Sequence, residues 1–171
     1  MSGVEFFPGY EVPGVGTIPL ADLEQFTGLE LLRRIIDRAY PGPPIGQRLN
    51  FGITEAEPGR AVFRGLPGAR HLNPLGGVHG GWMATILDSA LACAVMTTLK
   101  KGQGYTTVEF KVNLIRPLSE TTGEVFCEGL VVSRGQTIAV SEARLTDKAG
   151  KILAFGTETC SIFPIEKLLR T

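Results

Sequence analysis

The chain has 171 residues, a length suited to one domain with a short N-terminal addition. Its 43% hydrophobic and 20% charged residues are those of an ordinary globular protein, which excludes a disordered or fibrous chain. Lysine plus arginine and aspartate plus glutamate number 17 each. No excess of positive charge is available to attract a phosphate backbone, so we expect no nucleic-acid partner.

The cysteines and the N-terminal residues both give indications of the cellular compartment in which the protein is located. Cys93, Cys127 and Cys160 lie far apart in apolar surroundings and form no CxxC pair, which predicts reduced, buried thiols and no structural zinc site. The first residues contain the acidic Glu5 and several Gly and Pro, where a secretory signal would have basic residues followed by an apolar stretch. We therefore expect a cytoplasmic protein.

Residues 1–45 are predicted to form an N-terminal arm and a helix. Residues 1–19 are rich in Gly, Pro and Val without a sustained period, which indicates an extended arm. Thr27 followed by Glu30 is a capping-box pattern, and apolar residues then recur at helical spacing until Pro41-Gly42-Pro43-Pro44 ends the helix.

The main domain is predicted over residues 46–163 and begins with two short strands. These lie around residues 49–54 and 60–65, separated by a turn at 55–59. A long loop with several Gly and Pro follows over residues 66–78, and within it His71 is expected to be a surface histidine.

A long helix is predicted from His79 to Lys100. This segment is apolar on nearly every side, which is typical of a helix surrounded by other structure. Asp88 and Ser89 within it favour burial in protein over a lipid bilayer, so we expect no membrane association. Lys100 and Gly102 suit the C-terminal end of the helix.

Four further strands are predicted after the helix, at about residues 105–115, 123–133, 137–146 and 152–163. Short links imply antiparallel neighbours, and residues 134–136 and 147–150 are typical of hairpin turns. The fold class is therefore α+β, an antiparallel sheet of about six strands wrapped around one long helix. Residues 164–171 are predicted to be a C-terminal tail.

Asp88 is the first candidate for chemistry. A carboxylate in the middle of an apolar helix costs several kcal/mol unless it has partners, so its presence needs a reason. It could be a reacting group, or it could cap a neighbouring backbone or reach water along a polar seam.

The start of the same helix is the second candidate. Asn73 and the small residues up to His79-Gly80-Gly81 leave the backbone N–H groups and the positive end of the helix dipole open to a ligand. Such donors typically stabilise a developing oxyanion by about 3 kcal/mol. The glycines could instead serve only close packing of the helix.

One chain cannot bring these two candidates together. Asp88 lies nine residues beyond His79, so the two point to opposite faces and are separated along the axis by about 13 Å. A two-fold dimer with the helices side by side would place the start of one helix near the aspartate of the other. We therefore predict a site at a subunit interface.

Several residues carry a resemblance to a known family. Asn73, His79-Gly80-Gly81 and Asp88, followed by the Thr-Val-Glu-Phe-Lys-Val-Asn strand at 107–113 and by Arg116-Pro117, resemble the hotdog thioesterases of the phenylacetate-degradation type. The resemblance covers roughly residues 46–163. It implies a β-α-β-β-β-β hotdog domain, dimers paired edge to edge into one continuous sheet, and often a homotetramer made from two such dimers; the sequence does not decide between dimer and tetramer.

The resemblance also implies roles for five residues. Asp88 matches the nucleophile or general base, and Gly80 matches the residue whose N–H polarises the thioester carbonyl. His79 and Asn73 match groups that orient substrate or water, although Asn73 could simply satisfy loop backbone. Thr107 matches a hydroxyl that holds the attacking water, although neighbouring Thr106 could occupy that position, and Thr107 could be an ordinary strand residue.

The expected activity is hydrolysis of an acyl-CoA thioester to a carboxylic acid and free CoA. No cofactor beyond the CoA of the substrate, and no metal, is implied. Two other functions stay open: an acyl-CoA hydratase or dehydratase, and a protein that binds acyl-CoA without turnover. The identity of the acyl group and the basic residues that would meet the CoA phosphates are not readable from the sequence.

Overall fold

The N-terminal arm forms a hairpin in the structure, a computed structural model that describes residues 3–167. Strands β1 (Val4–Phe7) and β2 (Tyr10–Val12) pair antiparallel around a turn in which Gly9 has a φ of 79°. The hairpin packs on the main sheet, where the Tyr10 hydroxyl donates to the Ile53 carbonyl (3.0 Å). The predicted arm is thus extended where its strands lie, and the pairing of the two strands into a hairpin was not predicted.

Three short helices follow the hairpin: α1 (Asp22–Gln25), α2 (Gly28–Ile36) and α3 (Pro44–Leu49). The capping box predicted at Thr27 is confirmed, since Thr27 Oγ1 accepts from the Glu30 N–H (3.3 Å) and Glu30 Oε2 accepts from the Thr27 N–H (2.7 Å). Helix α3 was not predicted. Pro44 was predicted to end the preceding helix, but it is the first residue of α3. Proline is tolerated there because a residue in the first turn does not use its backbone N–H within the helix.

The main body is one antiparallel sheet of six strands. Its strands are β3 (Phe51–Glu57), β4 (Arg60–Gly65), β5 (Gln103–Leu114), β6 (Val125–Arg134), β7 (Ile138–Asp147) and β8 (Ile152–Pro164). They lie in the order β3-β4-β6-β7-β8-β5, with β3 and β5 at the edges. The predicted α+β class, strand number and hairpin turns are confirmed. A 3-10 helix (Ile165–Lys167) follows β8, and the rest of the predicted tail lies outside the described residues.

The long helix α4 (Gly80–Met96) packs against the inner face of this sheet. The approach is close, since a Cβ on Gly129 of β6 would lie 2.2 Å from the Ala90 carbonyl oxygen. The helix ends four residues before the predicted Lys100. Its last turn is closed by the Thr97 and Thr98 hydroxyls, which donate to the Ala94 and Val95 carbonyls.

Only one side of α4 is left uncovered by its own sheet. Between Gly81 and Ser89 the residues that are not buried recur at spacings of three and four, and therefore share one helix face. We call this face the open stripe; it consists of Gly81, Ala84, Thr85, Asp88 and Ser89. Within residues 3–167, no helix combines the length and apolar character that crossing a membrane requires.

Candidate active site

The start of α4 is organised by His79. His79 is the N-cap, with φ −62° and ψ 135°, and its Nδ1 accepts from the Gly81 N–H (2.9 Å) while its carbonyl accepts from the Trp82 N–H (2.9 Å). Among the described residues the Gly80 N–H has no such acceptor, so this donor is free to meet a ligand. A Cβ on Gly80 would lie 2.7 Å from Leu114 Cδ1, which explains why a glycine suits the position.

Asn73 shapes the loop that leads to this helix start. Its Oδ1 accepts from the Leu75 N–H (2.9 Å) and the Gly77 N–H (3.3 Å), and its own N–H donates to the Gly77 carbonyl (2.7 Å). Gly76 completes the turn with a φ of 84°, in the left-handed region. The side-chain oxygen of Asn73 therefore bonds the loop backbone, as one of the two predicted roles of this residue requires. The side-chain N–H₂ group takes no part in these bonds.

An open cavity of about 440 Å³ lies beside the helix start. It is lined by residues of the loop, the end of α3 and the first turns of α4: Leu49, Arg70, His71, Leu72, His79, Gly81, Trp82 and Thr85. His71, expected on the surface, is buried: its Nδ1 accepts from the Gly68 N–H (3.0 Å), and its ring lies 6.0 Å from the Trp82 ring. The turn around residues 68–71 folds it inward, and burial lowers its pKa.

Asp88 is half-buried in the open stripe of α4. Among the described residues it forms no hydrogen bond and no ion pair, so the alternative in which Asp88 caps a neighbouring backbone is not observed within the chain. Burial raises the pKa of its carboxyl group. The hydroxyls beside it are turned to the helix backbone, since Thr85 donates to the Gly81 carbonyl (2.8 Å) and Ser89 to the Thr85 carbonyl (2.9 Å).

Thr107 lies on β5 on the side that faces the interior. Its hydroxyl donates to Glu158 Oε1 (3.0 Å), whereas the adjacent Thr106 is exposed. A bulge between Thr107 and Glu109 follows in the pairing of β5 with β8. Of the two threonines that the sequence left open, Thr107 is the one directed toward the buried polar groups.

Glu158 is a residue that the sequence reasoning missed. It is 1% exposed on β8, its Oε1 accepts from Thr107 and from Cys160 Sγ (2.9 Å), and its Oε2 has no hydrogen-bond partner among the described residues. Burial, with the nearby Asp88 charge as a lesser cause, raises its pKa to about 7. The alternation of Gly156, Glu158, Cys160 and Ile162 along β8 could have identified it as an inward-facing carboxylate.

The predicted residues therefore fall into two groups within one chain. Asn73, His79 and Gly80 lie at or just before the start of α4. Asp88 lies farther along the helix, and Thr107 lies on β5, where it donates to Glu158, whose pKa the Asp88 charge helps to raise. Eight residues of helix separate Gly80 from Asp88, which is about 12 Å along the axis. Within residues 3–167, no three His, Cys, Asp or Glu side chains cluster as metal ligands.

The cysteines are all free thiols. Cys127 and Cys160 are buried as predicted, but Cys93 is only partly buried, because it lies four residues after Ser89 and continues the helix face of the open stripe. Burial raises the pKa of the Cys93 thiol to about 12, which argues against a thiolate nucleophile at this position.

Comparison with known proteins identifies the family. The family described as the thioesterase superfamily matches residues 75–154, a range that contains His79, Gly80, Asp88 and Thr107 and excludes Asn73 and Glu158. Acyl-coenzyme A thioesterase 13 of Homo sapiens is 28% identical over 108 residues, which are 63% of this chain and 76% of that protein. A candidate esterase of Saccharolobus solfataricus is 30% identical over 105 residues, 61% of this chain and 72% of that protein.

A solved structure agrees with these sequence relatives. A phenylacetic acid degradation-related protein of Ralstonia eutropha JMP134 matches with a TM-score of 0.69 and 25% identity, over 76% of this chain and 98% of that one. The chain therefore belongs to the thioesterase superfamily, and it is a thioester hydrolase with the hotdog fold that its sequence predicted.

Proposed function

We propose that the protein hydrolyses acyl-CoA thioesters to a carboxylic acid and free CoA, with Asp88 as the reacting carboxylate. The observation that carries this proposal is the environment of Asp88: it is a half-buried carboxyl group in the middle of an apolar helix, and it has no hydrogen-bond or ion-pair partner among residues 3–167. A structural role would give such a group donors. The similarity to human acyl-coenzyme A thioesterase 13 supports acyl-CoA as the substrate class.

The site we propose is shared by two subunits. The oxyanion donor, Gly80 N–H, and Asp88 are about 12 Å apart along one helix, too far to act on one acyl carbon. A two-fold axis beside α4 would bring the start of each helix to the Asp88 of the other and would form two equivalent sites. The small and polar side chains of the open stripe allow two helices to approach closely there.

The free edge of the sheet supports the same dimer. Strand β5 ends the sheet and exposes large apolar side chains, with Val108 62% and Phe110 41% exposed. An apolar edge strand of twelve residues tends to pair with another strand. We propose that two β5 strands pair across the dimer into one continuous sheet.

A homotetramer is proposed as a pair of such dimers. The outer face of the sheet exposes Leu130, Val132 and Phe155, which are 39%, 62% and 42% exposed. Apolar side chains grouped on an outer sheet face are typical of a surface between subunits. We assign this face to the contact between dimers.

The chemistry can follow either of two routes, which differ in what Asp88 does first. In the general-base route a water oxygen attacks the acyl carbon while Asp88 takes the water proton, and the carbonyl electron pair moves to the oxygen held by Gly80 N–H of the partner subunit. The C–S bond then breaks, and the departing thiolate takes the proton from Asp88. In the nucleophile route an Asp88 oxygen attacks the acyl carbon first, the C–S bond breaks and CoA leaves as the thiolate, which takes a proton from solvent. Water then cleaves the resulting anhydride, which releases the carboxylic acid and restores the Asp88 carboxylate.

We place the remaining residues around this centre. Residues 46–163 would carry the activity, with residues 1–45 as an addition that covers one end of the sheet. Asn73 would orient substrate or water through its amide N–H₂, and His79 would hold the helix start in shape. The cytoplasm is the proposed location, which three free thiols support because cysteines stay reduced there.

The test is release of free thiol from a panel of acyl-CoAs, measured on the wild type, on Asp88→Asn and on the control Glu142→Gln. Glu142 is an exposed carboxylate on β7, so its change controls for the loss of one negative charge. We expect Asp88→Asn to remain a folded oligomer with its rate lowered by about 100-fold or more. Unchanged turnover would remove Asp88 from the reaction, and hydration of enoyl-CoA without thiol release would favour the hydratase.

A further inference from the structure

The feature that carries an inference is the buried carboxyl group of Glu158. It projects from β8 toward α4 and is 1% exposed. Thr107 of β5 and Cys160 of its own strand both donate to Oε1, at 3.0 and 2.9 Å. The two donors belong to different elements, and both meet the same oxygen.

The surroundings of Glu158 favour its neutral form. An ionised carboxylate needs donors at both oxygens, yet Oε2 has no partner among the described residues. Helix α4 contains no Lys, Arg or His between Gly80 and Met96. The titratable groups that face Glu158 are acids and thiols: Asp88 and Cys93 of α4, Tyr105 and Glu109 of β5, and Cys160 of β8.

These surroundings make a second negative charge costly. Desolvation disfavours the charged form and outweighs the hydrogen bonds from Cys160 and Thr107, which favour it. The Asp88 and Glu109 charges add repulsion, so the pKa of Glu158 is raised to about 7. Glu158 therefore holds its proton up to neutral pH, and the negative charge of the pair stays on Asp88.

The bond from Thr107 has a direction with a chemical consequence. A threonine hydroxyl has one proton, and here the proton is committed to Glu158 Oε1. Only the lone pairs of Thr107 Oγ1 then remain for bonding, so Thr107 can accept a hydrogen bond from a water molecule but cannot donate one to it. A water held in this way would keep its oxygen lone pair free for attack and its second proton free for Asp88.

We propose that Glu158 is a positioning residue of the hydrolytic site: in its neutral form it fixes the Thr107 hydroxyl as an acceptor for the attacking water and leaves the single negative charge on Asp88. The inference rests on the proposed roles of Asp88 and Thr107. Glu158 itself touches neither substrate nor water and transfers no proton.

A pH dependence follows. Above about pH 7 Glu158 ionises and places a second negative charge near the developing oxyanion, which raises the barrier. The wild-type rate therefore declines on the alkaline side because of Glu158. Glu158→Gln keeps an Oε1 acceptor for Thr107 but cannot ionise, so it should keep most of the rate at pH 6 and lose the alkaline decline.

The experiment measures kcat and KM from about pH 5.5 to about pH 9 for Glu158→Gln, Glu158→Ala, Thr107→Val and the double variant Thr107→Val with Glu158→Ala. We expect Glu158→Ala to lower kcat by about 10 to 100-fold with little change in KM, because a freed hydroxyl misplaces the water. The double variant should lose no more than Thr107→Val alone, since the two residues act as one unit. Glu142→Gln is the matched control and should keep both the rate and the alkaline decline.

Several outcomes would overturn the inference. An alkaline decline that persists in Glu158→Gln, additive losses in the double variant, or a kcat unaffected by Glu158→Ala would each do so. If Glu158→Ala does not fold, the pH profile of Glu158→Gln decides alone. Asp88→Asn is run in the same series: if it stays active the proposed function fails, and if it is inactive while Glu158→Gln keeps the wild-type profile, only the role of Glu158 fails.

Discussion

Ser141 lies directly opposite Glu158 in the register of β7 and β8, and both side chains are buried on the inner face of the sheet. Neither Ser141 Oγ nor Glu158 Oε2 has a hydrogen-bond partner among residues 3–167. Two adjacent unpartnered polar atoms inside a sheet are costly, because most buried polar groups in native proteins are paired. The unpaired Ser141 and Glu158 atoms therefore lower the free energy of unfolding, a cost that is common at functional sites.

The pH dependence of stability should show this cost. The pKa of Glu158 rises from an ordinary 4.5 in the unfolded chain to about 7 in the folded one, so the folded state binds the proton more tightly. Its contribution is fully present below about pH 4.5, falls as pH rises to about 7, and stays low above that. Glu158→Gln removes this dependence, so we expect the free energy of unfolding of the variant, relative to the wild type, to rise by about 2.5 kcal/mol from pH 5 to pH 8.

Urea unfolding at the two pH values checks this prediction, at one protein concentration throughout. The quantity compared is the difference in free energy of unfolding between variant and wild type, in which the other titrating groups cancel. A difference that does not change with pH would show that Glu158 titrates in the folded protein as it does in water.

Removal of one backbone donor tests the oxyanion role of Gly80. Gly80 is the first residue of α4, where proline is tolerated, and His79 before it has the extended backbone that a following proline requires. Gly80→Pro deletes the N–H and should lower kcat by about 100-fold with the fold retained. In Gly80→Ala the added methyl group also lies close to Leu114, but the backbone N–H is kept, so kcat should fall much less than in Gly80→Pro. Equal losses in the two variants would assign the effect to packing.

Mixed oligomers test the shared site. We propose that each site takes Asp88 from one chain and the Gly80 N–H from the other. In a dimer of one Asp88→Asn subunit and one Gly80→Pro subunit, one site then contains both substitutions and the other site contains neither. Co-expression of the two inactive variants should therefore restore about half of the wild-type rate per heterodimer. If each site lay within one chain, the mixture would be as inactive as its parents.

Paired charge insertions test the two subunit surfaces. Val108 on β5 and Val132 on β6 are both 62% exposed, so the cost of each substitution to the isolated subunit should be similar. Val108→Lys should give inactive monomers, because it blocks the edge pairing that builds the site. Val132→Lys should give active dimers. Light scattering with the thiol-release assay distinguishes the two, and an active Val108→Lys monomer would contradict the proposed dimer.

Much of the fold follows from local sequence because local interactions decide it. The Thr27–Glu30 capping box involves residues three apart, and the turn at 147–150 is held by Asp147 Oδ1, which accepts from the Ala149 and Lys151 N–H groups (2.9 Å each). The apolar α4 segment likewise indicated a core helix, which the structure confirms, whereas the reactive role of Asp88 within it stays a prediction. Patterns of this kind need no knowledge of distant residues.

The remaining features depend on contacts between residues far apart in the chain. Thr107 and Glu158 are 51 positions apart, and only the pairing of β5 with β8 turns an ordinary strand glutamate into a buried acid that orients a hydroxyl. The burial of His71 also depends on tertiary packing, which places its ring against Trp82. Amino-acid order determined the core helix and the six strands of the main sheet. The N-terminal hairpin and the environment of each carboxyl group, and with it the protonation state, were decided by the tertiary structure, since desolvation depends on what surrounds a group in space.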